Sequence, residues 1–162
     1  MADYYTNVSI EVEHHPEFPL TEDISNIFYA VDEEDVDHAP QWFKDLFEAE
    51  SEGDDFTDWC DKTFCGNHVG AEYEMTDDGL WIHGWEGPNL ELIAAAIHYA
   101  LRHYGLVSHV SMEYSLSCSK PRLDGFGGGA VFITKDGYEF FSNSDWLREK
   151  EAAFMKALKP ND

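Results

Sequence analysis

Residues 69–104, VGAEYEMTDDGLWIHGWEGPNLELIAAAIHYALRHY, decide the fold, because two periodicities meet inside them. Residues 69–75 and 80–86 alternate between apolar and polar and flank Thr76-Asp77-Asp78-Gly79, and an Asp-Gly pair between alternating segments is a strong hairpin signal. From Pro88 the period changes to that of a helix: Leu92, Ile93, Ala96, Ile97, Ala100 and Leu101 fall on one face, and Gly105 ends it. A hairpin followed by a helix with a continuous apolar face is a sheet with its cover. The class is therefore α+β.

Working outward, YTNVSIEVE (5–13) reads as a first strand, residues 107–118 as another, and AVFIT (130–134) and YEFFS (138–142) as a pair joined through Lys135-Asp136-Gly137. Ser144 caps a last helix reaching about Leu158. Between the first strand and the hairpin, Trp42, Phe43, Leu46 and Phe47 form one helical stripe behind Pro40, and Phe56, Trp59, Cys60 and Phe64 form a second. The expected organisation is one domain, 1–162. It has an antiparallel sheet of about five to six strands covered by helices, with the sheet-and-helix core at 67–162 and an acidic helical insertion at 20–66.

The chain has 162 residues, 33 of them acidic and 10 basic, for a formal charge of −23, yet 43% are hydrophobic and 15% aromatic. That much apolar material excludes global disorder. The charge excludes direct binding of nucleic acid or an anionic membrane, both of which need a basic footprint. It is also uneven. Residues 1–90 contain 24 acidic residues against Lys44 and Lys62, a net −22, whereas residues 91–162 net −1. Such asymmetry points to an interaction surface, since a halophile's acidity covers the whole fold. Three cysteines argue against a secreted disulfide framework, and no apolar run approaches a membrane span, so a soluble, cytoplasmic protein is expected.

Catalytic and cofactor motifs are weak. Gly125-Phe126-Gly127-Gly128-Gly129 precedes a strand rather than a helix, which suits a bulge or close backbone approach better than a phosphate loop. Cys60, Cys65, His68 and Cys118 could supply zinc ligands, but the last is some fifty residues away and Cys60 lies on an apolar stripe. Core cysteines are the simpler reading. His83 and His98 read as structural, and the carboxylates follow helix faces rather than converging in a cleft. The expectation is a protein that is not an enzyme and needs no cofactor.

The charge itself is the remaining signal. A chain of this length has a radius of gyration of roughly 15 Å and a diameter near ~40 Å, while duplex DNA carries about 22 charges in roughly 37 Å of axis. Carboxylates at i, i+3 and i+4 recur every roughly 4.5–6 Å along a helix, one or two phosphate steps of about 3.4 Å. The candidate partner-binding residues are Asp32, Glu33, Glu34, Asp35, Asp37, Asp45, Glu48, Glu52, Asp54, Asp55, Asp58 and Asp61, acting together as phosphate surrogates.

In size, acidity and α/β build the chain resembles the DNA-mimic antirestriction and anti-CRISPR proteins of phages and plasmids, a resemblance of composition. The stretch CSKPRLDGFGGGAVFITKDGYEFFSNSDWL, Cys118 to Leu147, looks like a segment of small phage-encoded proteins. The resemblance implies an inhibitor that occupies the nucleic-acid-binding surface of a basic host defence or DNA-processing protein, in the host cytoplasm, with a homodimer compatible. The alternatives are a protein-binding or assembly module acting through Lys120-Pro121-Arg122 and Phe126 in the C-terminal half, or a halophilic-type acidic protein.

Overall fold

The computed structural model describes residues 2–122 and 125–158. Its elements in chain order are β1 (Tyr4–Glu13), α1 (Leu20–Asp32), a one-turn 3-10 helix (Val36–His38), α2 (Gln41–Glu50), α3 (Phe56–Phe64), β2 (Glu72–Met75), β3 (Gly79–Gly84), α4 (Leu90–His103), β4 (His109–Cys118), β5 (Gly127–Thr134), β6 (Gly137–Ser142) and α5 (Asn143–Leu158). The strands form one six-stranded sheet in the order β2-β3-β1-β4-β5-β6, every neighbouring pair antiparallel. The α+β class expected from the periodicity is what the chain adopts.

One face of the sheet is apolar because the strands alternate. Val8, Ile10 and Val12 of β1, Leu80 and Ile82 of β3, Met112 of β4, and Val131 and Ile133 of β5 are buried together with the apolar faces of α1 and α4. Register keeps them level, with Ile10 opposite Ile82, Val12 opposite Leu80 and Met112 opposite Val131. Helix α4 starts at Asn89, whose Oδ1 accepts from the Leu92 N–H at 3.0 Å, and the run Ala94-Ala95-Ala96 is buried, letting the helix lie close to its neighbours. His98 is buried with its Nδ1 2.8 Å from the Thr134 carbonyl oxygen, a structural contact.

Segment 20–66 divides into two parts. The stretch DISNIFYAV, with the acidic run behind it, reads in the sequence as an exposed loop or the start of a helix; it lies instead in α1, whose Ile24, Ile27 and Phe28 are fully buried against α4 and the β2–β3 side of the sheet. Helices α2 and α3 instead build a lateral aromatic cluster that meets α4. The glycine run enters β5, as its position suggested. Gly128 has φ +155°, and a Cβ there would lie 2.5 Å from the Tyr114 carbonyl oxygen of β4, so only glycine permits this approach. Leu123 and Asp124, inside the 118–147 stretch, lie outside the described residues. Among those described, no helix is long and apolar enough to cross a membrane.

Candidate functional site

The acidic surface rests on aromatic rings. Phe43 and Phe47 of α2 meet Phe56 and Trp59 of α3 edge to face, with centroids 5.4 to 6.5 Å apart, and Phe64 reaches Tyr99 of α4. Each such pair is worth about 0.5–1.5 kcal/mol beyond its buried area. Helices of 10 and 9 residues would be marginal in isolation. The cluster holds them.

A buried carboxylate adds a polar anchor that the sequence reading missed. Asp23 of α1 accepts from Trp42 Nε1 at 2.7 Å and from the Tyr104 hydroxyl at 2.5 Å, both through Oδ2. One oxygen therefore ties α1, α2 and the end of α4 together. The Trp42 ring also stacks on His103, 4.7 Å between centroids and 12° between planes. Burial first, and then the hydrogen bond to Asp23, push the Tyr104 hydroxyl up to about 12. The hint in the sequence is an acid, with Thr21, among the apolar residues of the α1 face.

Of the twelve candidate acids, ten are exposed: Glu33, Glu34, Asp35, Asp37, Asp45, Glu48, Glu52, Asp55, Asp58 and Asp61. Asp32 and Asp54 are half-buried. Asp32 is occupied inside the fold, its Oδ1 accepting from the Val69 N–H at 3.0 Å and its Oδ2 from the Tyr73 hydroxyl at 3.1 Å. It fastens α1 to β2. Asp54 is paired with Lys62 at 2.7 Å and Asp37 with Lys44 at 3.1 Å, which uses both cations of the acidic half. The hydrogen bond that Lys62 donates to Asp54, foremost, raises the Lys62 pKa. Asp35 and Asp55 cap the next element, each accepting through Oδ1 at 2.9 Å from the N–H of Asp37 and Asp58 respectively. Asp45 accepts from Gln41.

Glu33, Glu34, Glu48, Glu52, Asp58 and Asp61 point to solvent with no cation within ion-pair distance among the described residues. Glu50, absent from the candidate set, is exposed in the same helix and belongs with them; the run Glu48-Ala49-Glu50-Ser51-Glu52 was its signal. Two of these positions carry strain. Glu34 and Glu52 have φ of 56° and 50°, the left-handed region, at the turns that follow α1 and α2. Glycine or asparagine fills such positions with less strain.

The other face of the sheet carries a groove of about 910 Å³ lined by Ser9, Trp81, His83, Trp85, Glu113 and Phe141, among others. His83 stacks on Trp81 at 3.8 Å, and its Nε2 lies 3.7 Å from both Glu72 and Glu74 without a hydrogen-bond partner. The cysteines do not assemble. Cys60 is buried in the aromatic cluster, where desolvation pushes its thiol up to about 12, whereas Cys65 is exposed and Cys118 sits on β4. Among the described residues, no group of three or more His, Cys, Asp or Glu side chains is placed to hold a metal ion.

No family model, curated protein or solved structure matches the chain. Lys120, Pro121, Arg122 and Phe126, the rival contact region, are exposed beside the start of β5. The acidic surface differs in having its carboxylates fixed to short helices by packing.

Proposed function

We propose that the protein is a non-enzymatic inhibitor whose α2–α3 surface takes the place of nucleic acid on a basic nucleic-acid-binding protein. The observation that carries this reading is the set of exposed carboxylates without a cation, Glu48, Glu50, Glu52, Asp58 and Asp61, on or next to two short helices held together by an aromatic cluster. A flexible acidic tail would lose ordering entropy on binding, whereas a folded one presents its charges already in place. Glu at the two left-handed positions supports the same reading, because charge is kept there at a cost in stability. Strain of this kind concentrates at functional surfaces. The acidic caps Asp35 and Asp55 hold their carboxylates in fixed directions as well.

The partner is a protein that gains affinity by matching Lys and Arg to phosphates, and association should fall steeply as salt rises from about 50 to 200 mM. The test is reversal of Asp45, Glu48, Glu52 and Asp58 to Lys together. Single reversals should each do little, while the quadruple variant should lose binding, read by co-purification and by release of the partner's nucleic acid. Undiminished inhibition by the quadruple variant refutes the proposal.

A further inference from the structure

The two edges of the sheet are built differently. The β2 edge is four residues long and carries Glu72 and Glu74, the charged protection expected of an edge that must stay unpaired. The β6 edge is six residues, GYEFFS, with Glu139 its one charge. It continues directly into α5, a helix of 16 residues none of which is buried. At about 100° per residue, Leu147, Phe154 and Leu158 fall within roughly 40° of one another on that helix. A single helix of this length is marginal in water without a packing partner.

We propose that this edge is the docking surface for a second copy of the chain, with β6 pairing antiparallel to β6 of the partner about a two-fold axis and each α5 packing on the other copy. Three observations select a second copy. The first is hydrogen-bonding direction. Thr134 and Gly137 close the two-residue turn between β5 and β6, so Gly137, Glu139 and Phe141 direct their backbone groups to β5 while Tyr138, Phe140 and Ser142 direct theirs outward. Identical strands related by a two-fold axis meet antiparallel. Centring on Phe140 places it opposite its own copy and Glu139 opposite Phe141, whereas centring on Glu139 would set two like charges face to face.

The second is charge. In α5, Asp145, Glu149 and Glu151 are balanced by Arg148, Lys150 and Lys156, so the helix is neutral and the face as a whole carries only the Glu139 charge in a chain of net charge −23. A basic partner would favour the acidic half. A neutral apolar face is matched by itself. The third is area. Phe140, Phe141, Trp146, Leu147, Phe154 and Leu158 are between 40% and 63% exposed. At ~150–250 Å² for a buried aromatic ring, Phe140 and Phe141 on opposite faces of the strand and the Leu147, Phe154 and Leu158 stripe offer about 500 Å², the backbone and rim adding to this towards the ~800 Å² per partner of a stable interface.

Sedimentation equilibrium of the full chain should give twice the 18.5 kDa chain mass. Phe140→Lys should raise the dimer dissociation constant by more than about tenfold, since two like charges then face each other across the axis. Circular dichroism will show whether this variant stays folded. Independently of that, Phe140→Cys in a Cys65→Ser, Cys118→Ser background should form an intermolecular disulfide, because a hydrogen-bonded antiparallel pair has Cα atoms about 5.5 Å apart. Glu139→Cys in the same background should not. A monomeric wild type, a dimer undiminished in a folded Phe140→Lys variant, or equal crosslinking at both positions overturns the proposal.

Discussion

Replacing Asp23 by Ala removes the one oxygen that joins α1, α2 and the end of α4. Both donors are close, Trp42 Nε1 at 2.7 Å and the Tyr104 hydroxyl at 2.5 Å, and Asp23 is only 8% exposed. Hydrogen bonds to a charged group contribute about 1.5–3 kcal/mol each. The two share one acceptor and both donors are half-buried, so water recovers part of the loss. A net cost of about 3 kcal/mol is expected, a large fraction of the ~5–15 kcal/mol that holds a domain folded. For a chain of this size that lowers Tm by roughly 6–12 °C.

Urea denaturation followed by tryptophan fluorescence measures the cost directly. Asp23→Asn keeps the shape and one acceptor and should lose about half as much. A double-mutant cycle with Trp42→Phe should give a coupling above ~1 kcal/mol, since the two side chains touch. The same substitution should weaken binding through the α2–α3 surface, because Trp42 holds α2 to the core. If Asp23→Ala costs less than about 1 kcal/mol, the buried carboxylate is not what anchors the acidic helices.

Three other outcomes follow from the same structure. Glu34→Gly and Glu52→Gly should each stabilise the fold by about 0.5–1 kcal/mol by relieving a left-handed backbone, read as a higher urea midpoint; a loss of stability would show that neither carboxylate is held under strain. Cys65 should react with a thiol reagent within the mixing time while Cys60, buried and pushed up to about 12, should react only on unfolding, so prompt modification of both would contradict the burial of α3. Tyr104, Tyr73 and Tyr138 are all raised above the ordinary value of 10.0, burial being the first cause in each, followed for Tyr104 and Tyr138 by hydrogen bonds to Asp23 and Glu91 and for Tyr73 by the Asp32 charge. The folded state favours the neutral phenols, so their contribution is complete below about pH 10 and is lost as pH rises through the folded values. The urea midpoint should therefore fall steeply above about pH 10, and a flat alkaline profile would count against these contacts.

Much of the fold was legible because its signals are local. The Asp-Gly hairpin, the 3.6-residue period of α4 and the alternation of β1 and β5 each reflect a face that must be buried, and β6 was legible from its turn. What was not legible depended on contacts between distant residues. Helix α1 has Thr21 and Asp23 on its buried side, which blurs the apolar stripe, and Asp23 is satisfied by Trp42 and Tyr104, 19 and 81 residues away. Asp32 shows the same limit at the surface. In the sequence it heads an acidic run indistinguishable from Glu33 and Glu34, and only the arrival of Val69 and Tyr73 from 37 and 41 residues away makes it an internal fastener. The exposed carboxylates were legible as a density of charge, while their attachment to an aromatic cluster required the fold.

On the function proposed above, the α2–α3 carboxylates compete with nucleic acid for one site on the partner. The most direct measurement immobilises the wild-type chain and the Asp45, Glu48, Glu52, Asp58 to Lys variant side by side, passes a cell lysate over both, and elutes with duplex DNA at constant salt. Proteins that bind the wild type, are released by the duplex and are missing from the variant are the expected result. Proteins retained by both forms, or held by the wild type and indifferent to the duplex, would contradict it.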